Sequence, residues 1–238
     1  LQCRMLTSLR DKLAPHRHRT PEGRLALALE TNRIACVVDV GANEGQTGVG
    51  LRRAGWTGDI VSFEPVARGH DAVKALAARD PSWTPPPAMA PGARDGETSV
   101  NVAVTDNWSS IRKVRDEIAA VKPKARAVTR ETVPMRRLDS VLREFVPAGR
   151  RLFVKIDTQG YEREVLAGLD AVMDDICGFQ IELCLVPLYE GETLYTWYFD
   201  WMNARGFELW IVEDIAFSAE LGRQLQFDAV FFRRDGRP

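Results

Sequence analysis

Two hydrophobic periods take turns along this chain. Ile34-Ala-Cys-Val-Val-Asp-Val40 is an apolar run rich in β-branched residues, which predicts a strand buried on both faces. It stops at Gly41, Gly45 follows, and Thr47–Arg53 opens a helix. Asp59-Ile-Val-Ser-Phe63 predicts a second short strand, closing on Glu64-Pro65. In 68–79, Val73, Leu76 and Ala77 share one helical face, whereas the prolines of 81–91 fit no regular element and predict a surface loop. A further strand is expected over 97–105, then a helix carrying Leu138, Val141, Leu142 and Phe145 at i, i+3, i+4, i+7. Arg151–Asp157 is the next buried strand, Thr158-Gln159-Gly160 a turn, and Tyr161–Leu169 a helix. Phe179–Pro187 is a fifth strand, and a helix over Thr193–Arg205 ends at Gly206 as at a C-cap. Phe207–Val212 and Gln226–Arg233 close the chain as two strands without a separating helix.

This alternation predicts an α/β chain with a mostly parallel sheet, helices on both faces and an antiparallel edge hairpin beside the fifth strand. Residues 1–33 read as a helical lead-in: Leu6, Leu9 and Leu13 recur at helical spacing, and Leu25–Thr31 is a second short helix. Residues 34–238 then form one domain, with a basic insertion at about 111–137 where nine Lys and Arg face Asp116, Glu117 and Glu131. That insertion is either a mobile acceptor-binding segment or a solvated loop.

At 238 residues, 45% of them hydrophobic, the chain can bury the core of one such domain. A net charge of −1 gives no global footprint for nucleic acid. Basic residues in 1–24 and 111–137 leave peripheral contact with a membrane surface as the larger-partner option. The four cysteines (Cys3, Cys36, Cys177, Cys184) have no CxxC spacing and are expected as buried free thiols. His16-x-His18 lacks a third metal ligand nearby. There is no apolar run long enough to span a bilayer and no secretory signal, so a cytoplasmic location is expected. The chain begins at Leu1 rather than Met, which leaves room for a preceding segment.

The chemistry gathers at Gly41-Ala-Asn43-Glu-Gly45-Gln46. A strand, a glycine turn and a helix N-terminus bring backbone N–H groups to a ligand, and Glu64 stands where nucleotide-binding α/β units hold ribose hydroxyls. A dinucleotide site needs a glycine where Asn43 stands, so a ligand without phosphates, such as S-adenosylmethionine, fits better than NAD. Lys155 and Asp157 share one face of their strand, as do Gln180 and Glu182 of the next. Lys155 is therefore expected to be neutralised by Asp157, Glu182 or both. Asp157 sits at a strand C-terminus, where such sheets bind ligands, and Glu162 could point into the same crevice.

Five segments together resemble the FkbM-type methyltransferases: Val38-Asp-Val-Gly-Ala-Asn-Glu-Gly45; Phe63-Glu-Pro65; Arg137-Leu-Asp-Ser140; Lys155-Ile-Asp-Thr-Gln-Gly-Tyr-Glu162 with Val165-Leu-Ala-Gly168; and Gln180-Ile-Glu182 through Pro187-Leu-Tyr-Glu-Gly191. The resemblance implies a Rossmann-like class I fold with strand order 3-2-1-4-5-7-6. It implies S-adenosylmethionine as cofactor and methyl transfer to a hydroxyl of a sugar, glycolipid or other natural product. The implied cofactor site is Asp39, Gly41, Asn43, Gly45, Gln46, Thr47 and Glu64, with Ala103 to Asp106 near the adenine. The implied catalytic crevice holds Asp157, Glu162 and Glu182.

Transfer to an alcohol needs a base within hydrogen-bond reach; Asp157 is the first choice and Glu182 the second. An alternative route is a divalent metal beside Asp157 that clamps vicinal hydroxyls. Two other functions fit the fold: a scaffold without turnover, and an NAD(P)-linked reductase. Asn43 and the lack of a Tyr-x-x-x-Lys pair count against the second.

Overall fold

The structure, a computed structural model, describes residues 16–234. Leu6, Leu9, Leu13 and Cys3 lie outside that range. The Thr20 hydroxyl accepts from the Gly23 N–H at 3.1 Å, capping α1 (Pro21–Thr31), which buries Leu25, Ala26, Ala28 and Leu29. β1 (Cys36–Val40) is buried at every residue and leads into α2 (Gln46–Arg53). β2 (Asp59–Phe63) and α3 (Ala67–Ala77) follow, then the short strands β3 (Trp83–Thr84) and β4 (Ala90–Gly92). β5 (Gly96–Ala103), α4 (Asp116–Val121), β6 (Ala127–Arg137) and α5 (Leu138–Leu142) come next. β7 (Leu152–Ile156), α6 (Glu162–Leu166), β8 (Ile176–Cys184), α7 (Tyr195–Ala204), β9 (Phe207–Ser218) and β10 (Arg223–Arg233) complete the chain.

Seven strands form one sheet in the order β3-β2-β1-β7-β8-β10-β9. Pairing is parallel from β3 to β8, and β10 runs antiparallel to both β8 and β9. Numbered within this sheet alone, the order is the expected 3-2-1-4-5-7-6 with its antiparallel edge hairpin.

The third strand is not where the pattern placed it. Trp83 and Thr84, inside the stretch expected as a loop, pair with Ile60 and Val61. Buried Trp83 donates its indole N–H to the Ser62 hydroxyl at 2.9 Å, so one side chain secures this edge. The strand expected over 97–105 is β5, which joins a second sheet of order β4-β6-β5. Nor is 111–137 a loop: it holds α4 and β6, and Val133 of β6 packs with Val100, Val102 and Val66 in a small core. Much of its positive charge is paired, Arg112 with Glu164 and Arg137 with Asp139 among others.

Alternating strand residues feed two cores. Val38, Val40, Val154, Ile156, Phe179 and Ile181 pack under α5, α6 and α7. Val37, Phe153 and Phe232 pack with Leu29, Leu51, Trp56 and Val73 on the other face. Asp39 and Lys155 have the parity of this second face, so a polar row crosses the sheet toward α1 and α2. Cys36, Cys177 and Cys184 are buried free thiols, and burial pushes the Cys36 thiol up to about 12. Among the described residues no helix is long and apolar enough to cross a membrane.

Candidate active site

The glycine turn is shaped by close backbone approach. Gly41 has φ +81°, and a Cβ there would lie 1.9 Å from the Asp157 carbonyl oxygen. β1 and β7 therefore end within touching distance of each other, and only glycine fits. Asn43, at φ +49°, donates its backbone N–H to Glu64 at 2.8 Å, and the second Glu64 oxygen accepts from the Val66 N–H at 2.8 Å. A Cβ on Gly69 would come within 2.8 Å of the Asn43 carbonyl oxygen, so α3 closes over this pair. Gly45, left-handed at φ 83°, caps α2, whose first residues are Gln46 and Thr47. The Asn43 side-chain oxygen is buried without a donor.

Beneath the turn, Asp39 and Lys155 stand opposite each other in register. Lys155 Nζ is 3.2 Å from Asp157 Oδ2 and 3.7 Å from Asp39 Oδ1. Asp39 is fully buried and neither of its oxygens accepts a hydrogen bond. Burial pushes its carboxyl up, and only the Lys155 charge pulls strongly the other way. Burial works against the Lys155 ammonium too, but Asp157, Asp39 and Asp228 outweigh it and raise its pKa. Lys155 is thus neutralised by Asp157 as expected, with Asp39 rather than Glu182 as its second partner. Gln180 donates to Asp228 at 2.8 Å, and burial lifts that carboxyl to about 6.

Glu182 belongs to a different group of contacts, centred on Gln159. This residue has φ +56°, left-handed for a side chain of its size. Its amide nitrogen donates to Asp157 Oδ1 at 2.7 Å and to Glu182 Oε2 at 2.6 Å, while its amide oxygen accepts from the Tyr189 hydroxyl at 2.7 Å. The Ser110 hydroxyl donates to its backbone carbonyl at 2.6 Å, and Gln226 gives Glu182 a second donor at 2.7 Å. Burial, then repulsion from Asp157 and Asp228, holds the Glu182 carboxyl well above the usual range. Glu162 does not share this crevice. One of its oxygens accepts from the Thr158 and Gly160 N–H groups, each at 3.0 Å, so it clamps the turn that presents Gln159. Burial lifts it to about 7.

Two cavities meet at this point. The larger, about 510 Å³, is lined by Gly41, Asn43, Glu64, Asp157, Gln159 and Glu182 together with Val66, Trp108, Ile111 and Phe217. The smaller, about 310 Å³, is lined by Gln46, Thr47, Lys155, Gln180, Glu213 and Asp228. Gly41, Asn43, Asn107 and Asp157 border both. Ala103 is in neither lining; Asp106 opens the 3-10 turn Asp106–Trp108, whose Asn107 and Trp108 face the larger cavity. Among the described residues, no group of three or more His, Cys, Asp or Glu side chains is spaced to hold a metal ion. No local sequence pattern marks Gln159, Tyr189, Gln226 or Trp108 as site residues. The one available signal was a long polar side chain between a strand end and Gly160.

Sheet order, antiparallel hairpin and a ligand cleft at the strand C-termini define a class I methyltransferase fold. The family profile "Methyltransferase FkbM domain" matches residues 39–209, and the chain belongs to that family. No curated protein matches it. Among solved structures, it is similar to the methyltransferase FkbM of Methylobacillus flagellatus KT: 13% identity, 82% of this chain and 43% of that one covered, TM-score 0.46. It thus spans less than half the length of that relative. It is also similar to the magnesium protoporphyrin IX methyltransferase of Synechocystis PCC 6803, solved with bound S-adenosylmethionine: 8% identity, 91% and 80% covered, TM-score 0.47.

Proposed function

We propose that this chain transfers a methyl group from S-adenosylmethionine to a hydroxyl oxygen of a sugar, glycolipid or other natural product. The observation that carries this reading is the carboxylate pair Asp157 and Glu182, bridged by one Gln159 amide in the larger cavity. The cofactor fits the donor set. Glu64, its oxygens oriented by two backbone N–H groups, would accept from the ribose hydroxyls. Val66, Trp108 and Ile111 would wall the base, and the unpaired oxygen of Asn43 and the acid-rich smaller cavity suit the amino-acid end. When bound, the cofactor supplies an electrophilic methyl group on a sulfonium.

The chain's own part is alignment and removal of one proton. Lys155 fixes one Asp157 oxygen at 3.2 Å and Gln159 fixes the other at 2.7 Å, so the carboxylate cannot swing. Asp157 accepts the acceptor hydroxyl's proton as that oxygen attacks. Glu182, held by Gln159 and Gln226, borders the acceptor side and is the second candidate base. The apolar wall keeps water from competing. A radiolabelled methyl-transfer screen over hydroxyl acceptors tests this. With a turned-over acceptor, Asp157→Asn should keep S-adenosylhomocysteine affinity and lose about 100-fold or more in kcat. Full turnover in that variant would remove Asp157 as base, and loss of turnover in EDTA would favour the metal route.

A further inference from the structure

Beside the larger cavity, which Phe217 and Lys122 line, the β9–β10 turn and the adjoining 122–126 segment carry exposed apolar and basic side chains. Phe217 is 61% exposed although it also lines the cavity, and Leu221, on the β9–β10 turn, is 45% exposed. The turn is built to present them: the Ser218 hydroxyl donates to Glu220 at 2.7 Å and accepts from the Leu221 N–H at 3.3 Å. Lys122 then reaches Glu220 at 3.3 Å, clipping the turn to the segment that holds exposed Lys124 and Arg126. Val104, 53% exposed, is brought beside that segment because Ala103 pairs with Ala127. Arg223, exposed, starts the return strand opposite Ser218. Glu220, the acid of the turn, is paired with Lys122, which leaves exposed Lys124, Arg126 and Arg223 without an ion-pair partner among the described residues.

Phe217, Leu221 and Val104, at 45–61% exposure, gather around one turn and the segment clipped to it rather than standing singly, and such a grouping marks an interaction surface. A cover that takes both Phe or Leu side chains and unpaired cations is an anionic lipid surface, with apolar groups entering the headgroup boundary and cations pairing with lipid charges. We propose that this rim docks the protein on an anionic membrane surface, with the larger cavity opening toward the headgroup layer. Docking of this kind brings a lipid-borne acceptor to the cavity without its leaving the bilayer, yet it stands independently of the methyl-transfer reading.

Co-sedimentation of the full chain with vesicles tests it, using phosphatidylcholine alone and phosphatidylcholine mixed with phosphatidylserine. The protein should pellet with the mixed vesicles, less so at high salt. Phe217→Ser/Leu221→Ser should weaken binding at least tenfold. Lys124→Ala/Arg126→Ala should weaken it about 25-fold, at about fivefold per basic side chain. Lys124 and Arg126 line neither cavity, so that double variant should keep its melting temperature and its S-adenosylhomocysteine affinity; Phe217 lines the larger cavity, so an unchanged melting temperature alone shows that Phe217→Ser/Leu221→Ser is folded. Absence of binding to the mixed vesicles overturns the proposal, as does binding that neither double variant weakens. A concentration-dependent dimer in ultracentrifugation that Phe217→Ser/Leu221→Ser abolishes would make the rim a protein interface and also overturn it.

Discussion

Lys155→Met isolates the electrostatics on which the floor of the site depends. The substitution keeps an unbranched chain of similar volume and removes the charge together with its hydrogen bond to Asp157. Among the described residues Asp39 is then left without a neighbouring cation: it is fully buried, neither oxygen accepts a hydrogen bond, and Lys155 at 3.7 Å is the positive charge that acts on it. Removing one partner of a buried ion pair costs about 3–5 kcal/mol, because the other charge stays buried and uncompensated. Urea unfolding at pH 7 should show that loss at an unchanged m-value. The loss should shrink in acid. Asp39 has its folded pKa raised above the ordinary 3.8, so its contribution is most favourable below 3.8 and is lost as pH rises through the folded value. Taking Lys155 away raises that value further. Asp39→Asn in the same background should return most of the stability. A cost under about 1 kcal/mol at pH 7, or no recovery in the double variant, would refute the argument.

Three further outcomes follow from the same contacts. Gly41→Ala puts a Cβ 1.9 Å from the Asp157 carbonyl oxygen at φ +81°; it should cost at least about 2 kcal/mol in thermal unfolding and at least tenfold in S-adenosylhomocysteine affinity. Glu162 is held at about 7 against an ordinary 4.5, worth about 3 kcal/mol of stability that is present below pH 4.5 and lost as pH rises through 7. Glu162→Gln should therefore lose less stability than the parent between those two pH values, and equal slopes in urea titrations would contradict this. Gln159→Leu frees Asp157 and Glu182 from their shared donor and leaves the Tyr189 hydroxyl without its acceptor. Its kcat should fall about 100-fold with cofactor affinity within twofold, and an unchanged kcat would show that the amide positions nothing.

The sheet was legible wherever a strand fills its own period. β1, β7 and β8 are apolar runs interrupted only by site residues, Asp39, Lys155, and Gln180 with Glu182, and the late hairpin shows itself by the lack of a helix between two strands. β3 was hidden because two residues carry no period, and its place is secured by a tertiary contact, Trp83 to Ser62. β5 shows as a strand, but membership of the second sheet depends on β6, whose β-branched residues sit among charges. The same limit applies to the site. Glu64 and Asp157 announce themselves by standing at strand ends. The partner of Lys155 is set by the β1–β7 register, which pairs residue 39 with 155 and which no local pattern reveals. Glu162 stands at a helix start where the next crevice or its own turn could equally receive it; three donors from Thr158 and Gly160 decide for the turn. Gln159 reads as an ordinary turn residue until its left-handed backbone brings the amide between two carboxylates.

Calorimetric titration of the purified chain with S-adenosylhomocysteine, with NADH as control, tests the central claim most directly. The predicted result is micromolar binding of the first and none of the second, with the affinity lowered at least tenfold by Glu64→Ala. A folded protein that binds neither, or binds NADH alone, would contradict it.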